Sequence, residues 1–241
     1  MQFSEETLAY LRGEKFNEDL FIRYVYEPDD YVYRSRFDIL ASMCRGKKVI
    51  HVGCVDHDIE AIERKLKQDT WLHKRLSDVA ARCYGIDIQE QGIAHIRDQL
   101  GYPDVEVINI LTHDSKALMG DQWDYLLLPE VLEHIGNPVD FLTGLRTKLQ
   151  GRVRKFIITV PHALSGANSK RSFHGIERIN SDHRFWFTAY TLAKLVVDAG
   201  FSIEKIIFSN TGPLKPSSWF HTWHNSRYPM RRNNLMIIGG F

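Results

Sequence analysis

Short apolar and β-branched runs alternate along this chain with longer stretches of helical spacing. The runs fall at Lys48–Val52, Arg82–Ile86, Val105–Ile108, Asp124–Leu128, Lys155–Val160, Ser202–Phe208 and Leu235–Ile238, each of strand length. Between them, Ile59, Ile62, Leu66, Leu72, Leu76 and Val79 recur on a 3.6-residue period, with a break expected near Asp69–Thr70. Val139, Leu142, Leu145 and Leu149 make a second helical stripe; Tyr190, Leu192, Leu195 and Val196 make a third, stopped by Gly200. Strands alternating with helices imply right-handed βαβ crossovers and a mostly parallel sheet with helices on both faces. The last two runs break the pattern. Only a Pro- and Trp-rich stretch, Thr211–Arg232, separates Phe208 from Leu235, so this pair is expected to be loop-joined and antiparallel. Tyr33, Phe37, Leu40 and Met43 have helical spacing, which makes residues 1–46 a helical cap on a main domain spanning 47–241.

Composition narrows the class. The chain has 241 residues, 44% of them hydrophobic, enough for one α/β domain and short for two. Its 31 Lys+Arg against 30 Asp+Glu leave a net charge of +1 and no basic excess of the kind a nucleic-acid partner selects. The one dense basic cluster, Arg227, Arg231 and Arg232, is too small to carry such a reading. Cys44, Cys54 and Cys83 form no C-x-x-C pair and fit free thiols in a reducing compartment. The first residues, MQFSEETLAYLRGEKF, have no apolar signal core, and no apolar run is long enough to span a bilayer. A cytoplasmic protein without membrane partners is expected.

In an open α/β sheet, ligands bind beyond the carboxyl ends of the strands, near the point where strand order reverses. The residues that follow each run therefore matter most. They are His51-Val52-Gly53-Cys54-Val55-Asp56-His57, then Asp87, Asn109, Pro129-Glu130-Val131-Leu132-Glu133-His134, and Pro161-His162. A glycine after the first strand lets backbone approach a ligand closely. A carboxylate at the end of the second can accept hydrogen bonds from both hydroxyls of a ribose. Each feature alone is also an ordinary turn.

Taken in order, these segments resemble the motifs of class I S-adenosylmethionine (SAM)-dependent methyltransferases. KKVIHVGCVDHD is similar to the first motif and YGIDIQEQGI to the second. WDYLLLPEVLEHIGNPVDFL resembles the segment after the fourth strand in the small-molecule branch, and is the most specific match. KFIITVPHA and HRFWFTAYTLAKLVVDAGF resemble the fifth strand and the helix before the sixth. The resemblance implies a Rossmann-like seven-stranded sheet with its last strand antiparallel, and SAM as cofactor. It implies cofactor contacts from His51, Gly53, Cys54, Asp87, Ile88, Asn109, Leu128, Pro129 and Glu130, with Asp87 on the ribose and Ile88 on the adenine. It further implies a small-molecule acceptor, at its closest a sugar or nucleotide-sugar hydroxyl in polysaccharide or natural-product biosynthesis. The chain departs from the first motif: His51 stands where an acid is usual, and Val55 and His57 fill two of three glycine positions. The extra length between Gly53 and Asp87 falls in Asp58–Trp71, a candidate flap over the cofactor.

Three histidines are candidate bases for an O-methyltransferase: His134, His183 and His162. Histidine titrates near neutrality and suits proton removal from a hydroxyl. Each has a structural alternative, for His134 a bond to neighbouring backbone. Asp182 is a candidate to orient or charge His183, although adjacent residues rarely pair well. His174 lies in a Gly/Ser-rich stretch expected to be a substrate lid. Asp56-His57-Asp58 lacks a second ligand set and reads as a polar loop, so no metal site is expected. The aromatic stretch Trp219–His224 reads as an acceptor wall or a contact between copies of the chain. A nicotinamide dehydrogenase would need G-x-G-x-x-G after the first strand, which is missing. The remaining rival is a catalytically silent member of the fold that acts as a binding partner.

Overall fold

The computed structural model describes residues 1–214 and 219–241; residues 215–218 and the side chain of Phe220 lie outside the described residues. Seven strands form one sheet: β1 (Lys48–Val52), β2 (Arg82–Asp87), β3 (Val105–Val107), β4 (Trp123–Pro129), β5 (Val153–Pro161), β6 (Ser202–Ser209) and β7 (Asn234–Gly240). Their order is β3-β2-β1-β4-β5-β7-β6, with β7 antiparallel to both neighbours and the other pairs parallel. Strand order reverses at β1, whose neighbours are β2 and β4. That is where an open α/β sheet leaves a crevice.

The central strands are largely apolar because both faces are covered, whereas edge strand β6 exposes Ser202 and Glu204. Leu126 and Leu128 pack in one core cluster and Leu127 in another, as the two-residue period of a strand requires. One face is buried under α7 (Pro138–Leu149) and α9 (Ala189–Asp198), whose Leu142, Leu145, Leu192 and Val196 are fully buried. The other is buried under α2 (Arg36–Cys44) and α4 (Leu72–Ser77) through Phe37, Leu40, Leu72 and Leu76. Beside them α3 (Ile59–Lys67) and α5 (Glu90–Asp98) close on Cys54, Val55 and Trp71. The expected break in the 59–79 stripe is present. Asp69 has φ +51°, between α3 and α4.

Several elements were not apparent from periodicity. Residues 1–46 hold α1 (Glu5–Leu11) and α2, joined by an extended stretch; Tyr33 precedes α2, and its hydroxyl donates to Asn210 Oδ1 at 3.0 Å. Short helices α6 (Lys116–Met119) and α8 (Gly166–Ser172) lack an apolar stripe. The stretch between β6 and β7 is not all loop, because Trp219–Arg227 forms α10. Its sequence WFHTWHNSR offers mixed aromatic and polar residues with no apolar face, which is why spacing missed it. Asp58–Trp71 is not a flap. Asp58 caps α3 through the Ala61 N–H at 2.7 Å, and Trp71 is buried, its indole N–H donating to Cys54 O at 3.2 Å. Among the described residues no helix is long and apolar enough to cross a membrane.

Candidate active site

A cavity of about 760 Å³ opens at the carboxyl ends of β1, β2, β4 and β5, within the size range of small-molecule sites. The loop after β1 forms its floor. Gly53 has φ +77°, a left-handed backbone that favours glycine, and a Cβ there would meet Val131 at 3.1 Å. The N–H groups of Gly53 and Cys54 both point to Ile86 O, at 2.9 and 3.4 Å, which fixes the loop against β2.

Asp87 ends β2 on the cavity wall. Its two oxygens accept separately from the Val55 N–H and the Gln89 N–H, each at 3.1 Å. The carboxylate is held rigid while each oxygen, with two lone pairs, retains acceptor capacity. Burial raises its pKa above the ordinary value, opposed by those backbone N–H groups. Ile88, next in sequence, is 73% exposed and lines the cavity.

The segment after β4 forms the opposite wall. Glu130 has φ +57°, and Asp56 across the cavity has φ +70°; both are non-glycine residues in a conformation that costs free energy. Glu130 does not begin a helix. Its Oε1 accepts from Thr159 Oγ1 (3.1 Å) and Asn234 Nδ2 (2.9 Å), with Arg36 at 3.6 Å. A 3-10 turn, Leu132–His134, follows. Glu133 is fully buried, neither carboxylate oxygen has a partner, and its pKa is pushed up to about 9, chiefly by burial.

His134 and His183 meet edge to face, ring centroids 4.6 Å apart. Asp182 pairs not with its neighbour His183 but with His134 Nδ1, at 3.1 Å. The two segments are laced together: the Arg184 N–H donates to Glu133 O at 2.8 Å, and the Arg184 guanidinium donates to His134 O. Burial and the neighbouring His134 lower the His183 pKa. Ligand atoms of Glu133, His134 and His183 lie within 4.8 Å of one another, a spacing that could hold a cation.

Of the residues anticipated from sequence, His51, Gly53, Cys54, Asp87, Ile88, Pro129, Glu130, His134 and His183 all line this cavity. Leu128 does not; it is buried in the sheet core behind Pro129. Asn109 is exposed and away from the lining residues, its amide oxygen accepting from the Leu111 N–H at 3.1 Å. His162 is also apart. It is buried against Phe208 with Nδ1 3.1 Å from Arg232 O, and burial lowers its pKa to about 4. Asp56 is paired with Lys65 (2.5 Å) and His57, and Asp58 is a helix cap, so this run is a polar loop as anticipated. The lid stretch contributes Arg171, Arg178, Ile179 and Asn180 to the wall, whereas His174 is exposed and outside it. Trp219 and Trp223 stack at 6.3 Å on α10, also outside the cavity.

Several lining residues were not anticipated, Glu133, Arg36 and His73 among them. Glu133 could have been found, since it adjoins His134 in the same short motif. Arg36, whose Nε donates to Thr211 O at 2.7 Å, comes from the cap, and His73 from α4; neither carries a local signal.

No protein-family model matches the sequence. A probable S-adenosylmethionine-dependent methyltransferase of Mycolicibacterium smegmatis is 25% identical over 169 residues, covering 68% of this chain. The chain spans only 56% of that relative's length. Magnesium protoporphyrin IX methyltransferase (ChlM) of Synechocystis PCC 6803, solved with bound SAH, superposes with a TM-score of 0.54 at 14% identity, covering 97% of this chain and 94% of that one. The small RNA methyltransferase HEN1 superposes with a TM-score of 0.54 at 17% identity, covering 93% of this chain and 27% of that one. The fold is that of the class I SAM-dependent methyltransferases, as the sequence resemblance implied. Proteins of this fold act on acceptors as unlike as a porphyrin and an RNA, so the fold does not fix the substrate.

Proposed function

We propose that this chain, with its class I methyltransferase fold, binds SAM and methylates a hydroxyl oxygen of a small acceptor. The observation that carries the reading is one cavity with two unlike ends. At one end stands a rigid carboxylate, Asp87, beside the exposed apolar Ile88; at the other stand His134, Asp182 and His183. The first end suits a nucleoside: Asp87 accepts from the ribose hydroxyls and Ile88 packs on the base. Arg36 places a cation on the wall, suited to a carboxylate.

Bound SAM supplies a methyl group on a sulfonium sulfur, so the transfer needs alignment and water exclusion more than covalent help. His134 takes the hydroxyl proton on Nε2, with Asp182 on Nδ1 fixing the ring and stabilising the cation that forms. His183 packs against that ring and restricts its rotation. A sugar or natural-product hydroxyl fits this chemistry, and the near-neutral chain offers no basic tract for RNA.

The unpartnered Glu133 oxygens favour one variant, in which Glu133, His134 and His183 would hold a divalent cation that would supply Lewis-acid activation of the acceptor hydroxyl, with His134 then a ligand rather than the base. Calorimetry with S-adenosylhomocysteine tests the cofactor end directly, and the absence of binding would favour the silent-partner reading. Mass spectrometry of candidate hydroxyl acceptors after incubation with SAM, with and without chelator, tests the other end.

A further inference from the structure

At the base of the cavity, where His51 and His73 line it, these two residues converge with Cys83 as three potential metal ligands. His51 is on β1 and Cys83 on β2; His51 pairs in register with Gly85, so Cys83 lies two residues away on the same face. His73, from α4, enters over Gly85, where a Cβ would meet its Cε1 at 2.7 Å; the missing side chain makes room for the imidazole. All three are buried, at 2%, 1% and 7% exposure.

Their atoms are spaced for coordination. His51 Nδ1 lies 3.1 Å from His73 Nδ1, and Cys83 Sγ lies 3.7 Å from the same nitrogen. Zinc bonds of about 2.0–2.1 Å to nitrogen and about 2.3 Å to sulfur give tetrahedral edges of about 3.3 Å (N to N) and about 3.6 Å (N to S). The two observed edges fall within about 0.2 Å of these. Hydrogen bonding serves the cluster less well. A neutral imidazole nitrogen has one lone pair, so His73 Nδ1 cannot fully accept from both His51 and the thiol. A cation at the centre takes a lone pair from each.

We propose that His51, His73 and Cys83 form a zinc site that clamps helix α4 to β1 and β2. Borderline-soft Zn²⁺ is the ion this His₂Cys set favours. Binding expels the Cys83 proton, leaving the thiolate as ligand. With three protein ligands, one coordination position remains for water. A second hollow of about 200 Å³, lined by His73, Cys83 and Tyr102, gives an approach from the outer side. The clamp lies directly behind Gly53 and Cys54, where the first motif has lost two of its usual glycines, and it would hold that loop by cross-linking. The inference does not depend on which methyl acceptor the cavity takes.

Cobalt substitution tests it in the full chain. The protein is stripped with chelator and titrated with Co²⁺, and the thiolate-to-cobalt charge-transfer band is followed. One thiolate-bound cobalt per chain is expected, displaced by Zn²⁺, with the band lost in Cys83→Ala and weakened at least tenfold in affinity in His73→Gln. Cys44→Ala and Glu133→Gln should retain it; the latter separates this site from the Glu133–His134–His183 group, which holds no sulfur. Zinc should raise the melting temperature of the wild type and not that of Cys83→Ala. Absence of the band in wild-type protein, or its persistence in Cys83→Ala, overturns the proposal. If Cys83→Ala does not fold, the wild-type band and its response to His73→Gln still decide it.

Discussion

Replacing Asp87 by Ala separates the cofactor reading from mere fold likeness. The carboxylate has two structural bonds, from the Val55 and Gln89 N–H groups, and its remaining lone pairs face the cavity. Two ribose hydroxyls donating to a charged acceptor would contribute about 1.5–3 kcal/mol each. Asp87 is only partly buried, and water rehydrates the unliganded carboxylate, so the net loss on substitution should be about 1–3 kcal/mol. That is a roughly 5- to 150-fold rise in the dissociation constant. The structural bonds predict a separate effect. Val55 is buried, and its orphaned N–H should cost about 1–3 kcal/mol of stability, whereas the exposed Gln89 N–H can turn to water. At this chain length each kcal/mol lowers the melting temperature by about 2–4 °C. Calorimetry with S-adenosylhomocysteine, paired with thermal melts, measures both. Asp87→Asn should lose affinity similarly, because one carboxylate oxygen becomes a donor facing a donor. A variant that melts earlier but binds with unchanged affinity would show that Asp87 only braces the loop, and would refute the cofactor placement.

Three further outcomes follow from the same geometry. His134→Gln should lower turnover by about 10²–10⁴-fold while leaving S-adenosylhomocysteine affinity within a factor of two; equal losses in both would place His134 at the cofactor instead. Glu133 has a folded-state pKa of about 9 against an ordinary 4.5, so its protonated form is favoured by folding. Its contribution to stability is full below about 4.5 and is lost as pH rises toward 9. Glu133→Gln should therefore gain on the wild type in melts taken across that window, and parallel curves would count against burial of an uncharged carboxyl. Gly92→Ala would drive a Cβ to 2.2 Å from Val55 Cγ1. The overpacking should cost about 1–3 kcal/mol in denaturant unfolding, and cofactor affinity should fall with it, since Val55 N–H holds Asp87.

The sheet was legible because the central strands are buried on both faces and read as dense apolar runs; all seven expected runs became strands, with ends moving by no more than two residues. The antiparallel last strand was legible for a related reason, since no apolar stripe intervened before it. Helices without a stripe, such as α8 and α10, were not visible to a method that reads spacing. At the site, residues adjoining strand ends were found because topology puts them there. The partner of His134 was not: Asp182 is 48 positions away, and only the folded chain sets it against Nδ1 rather than beside His183. Asn109 lies outside the cavity lining, its amide oxygen accepting from the Leu111 N–H in a local turn.

Under the proposed function, the lacing of Asp182–Arg184 to the Glu133–His134 turn would constrain how the chain can diversify. A polypeptide that chooses its acceptor with one surface loop usually keeps its chemistry on a separate, stationary frame, so the loop can be exchanged freely. On the proposed function, the stretch that would meet the acceptor also carries Asp182, the carboxylate paired with His134, and is bonded to the same turn through main chain. Grafting residues 164–186 from a relative would therefore transplant part of the proton-handling apparatus together with the selectivity. New specificity would be reached more readily by point changes at Arg171, Arg178 or Ile179, which line the cavity without touching that joint.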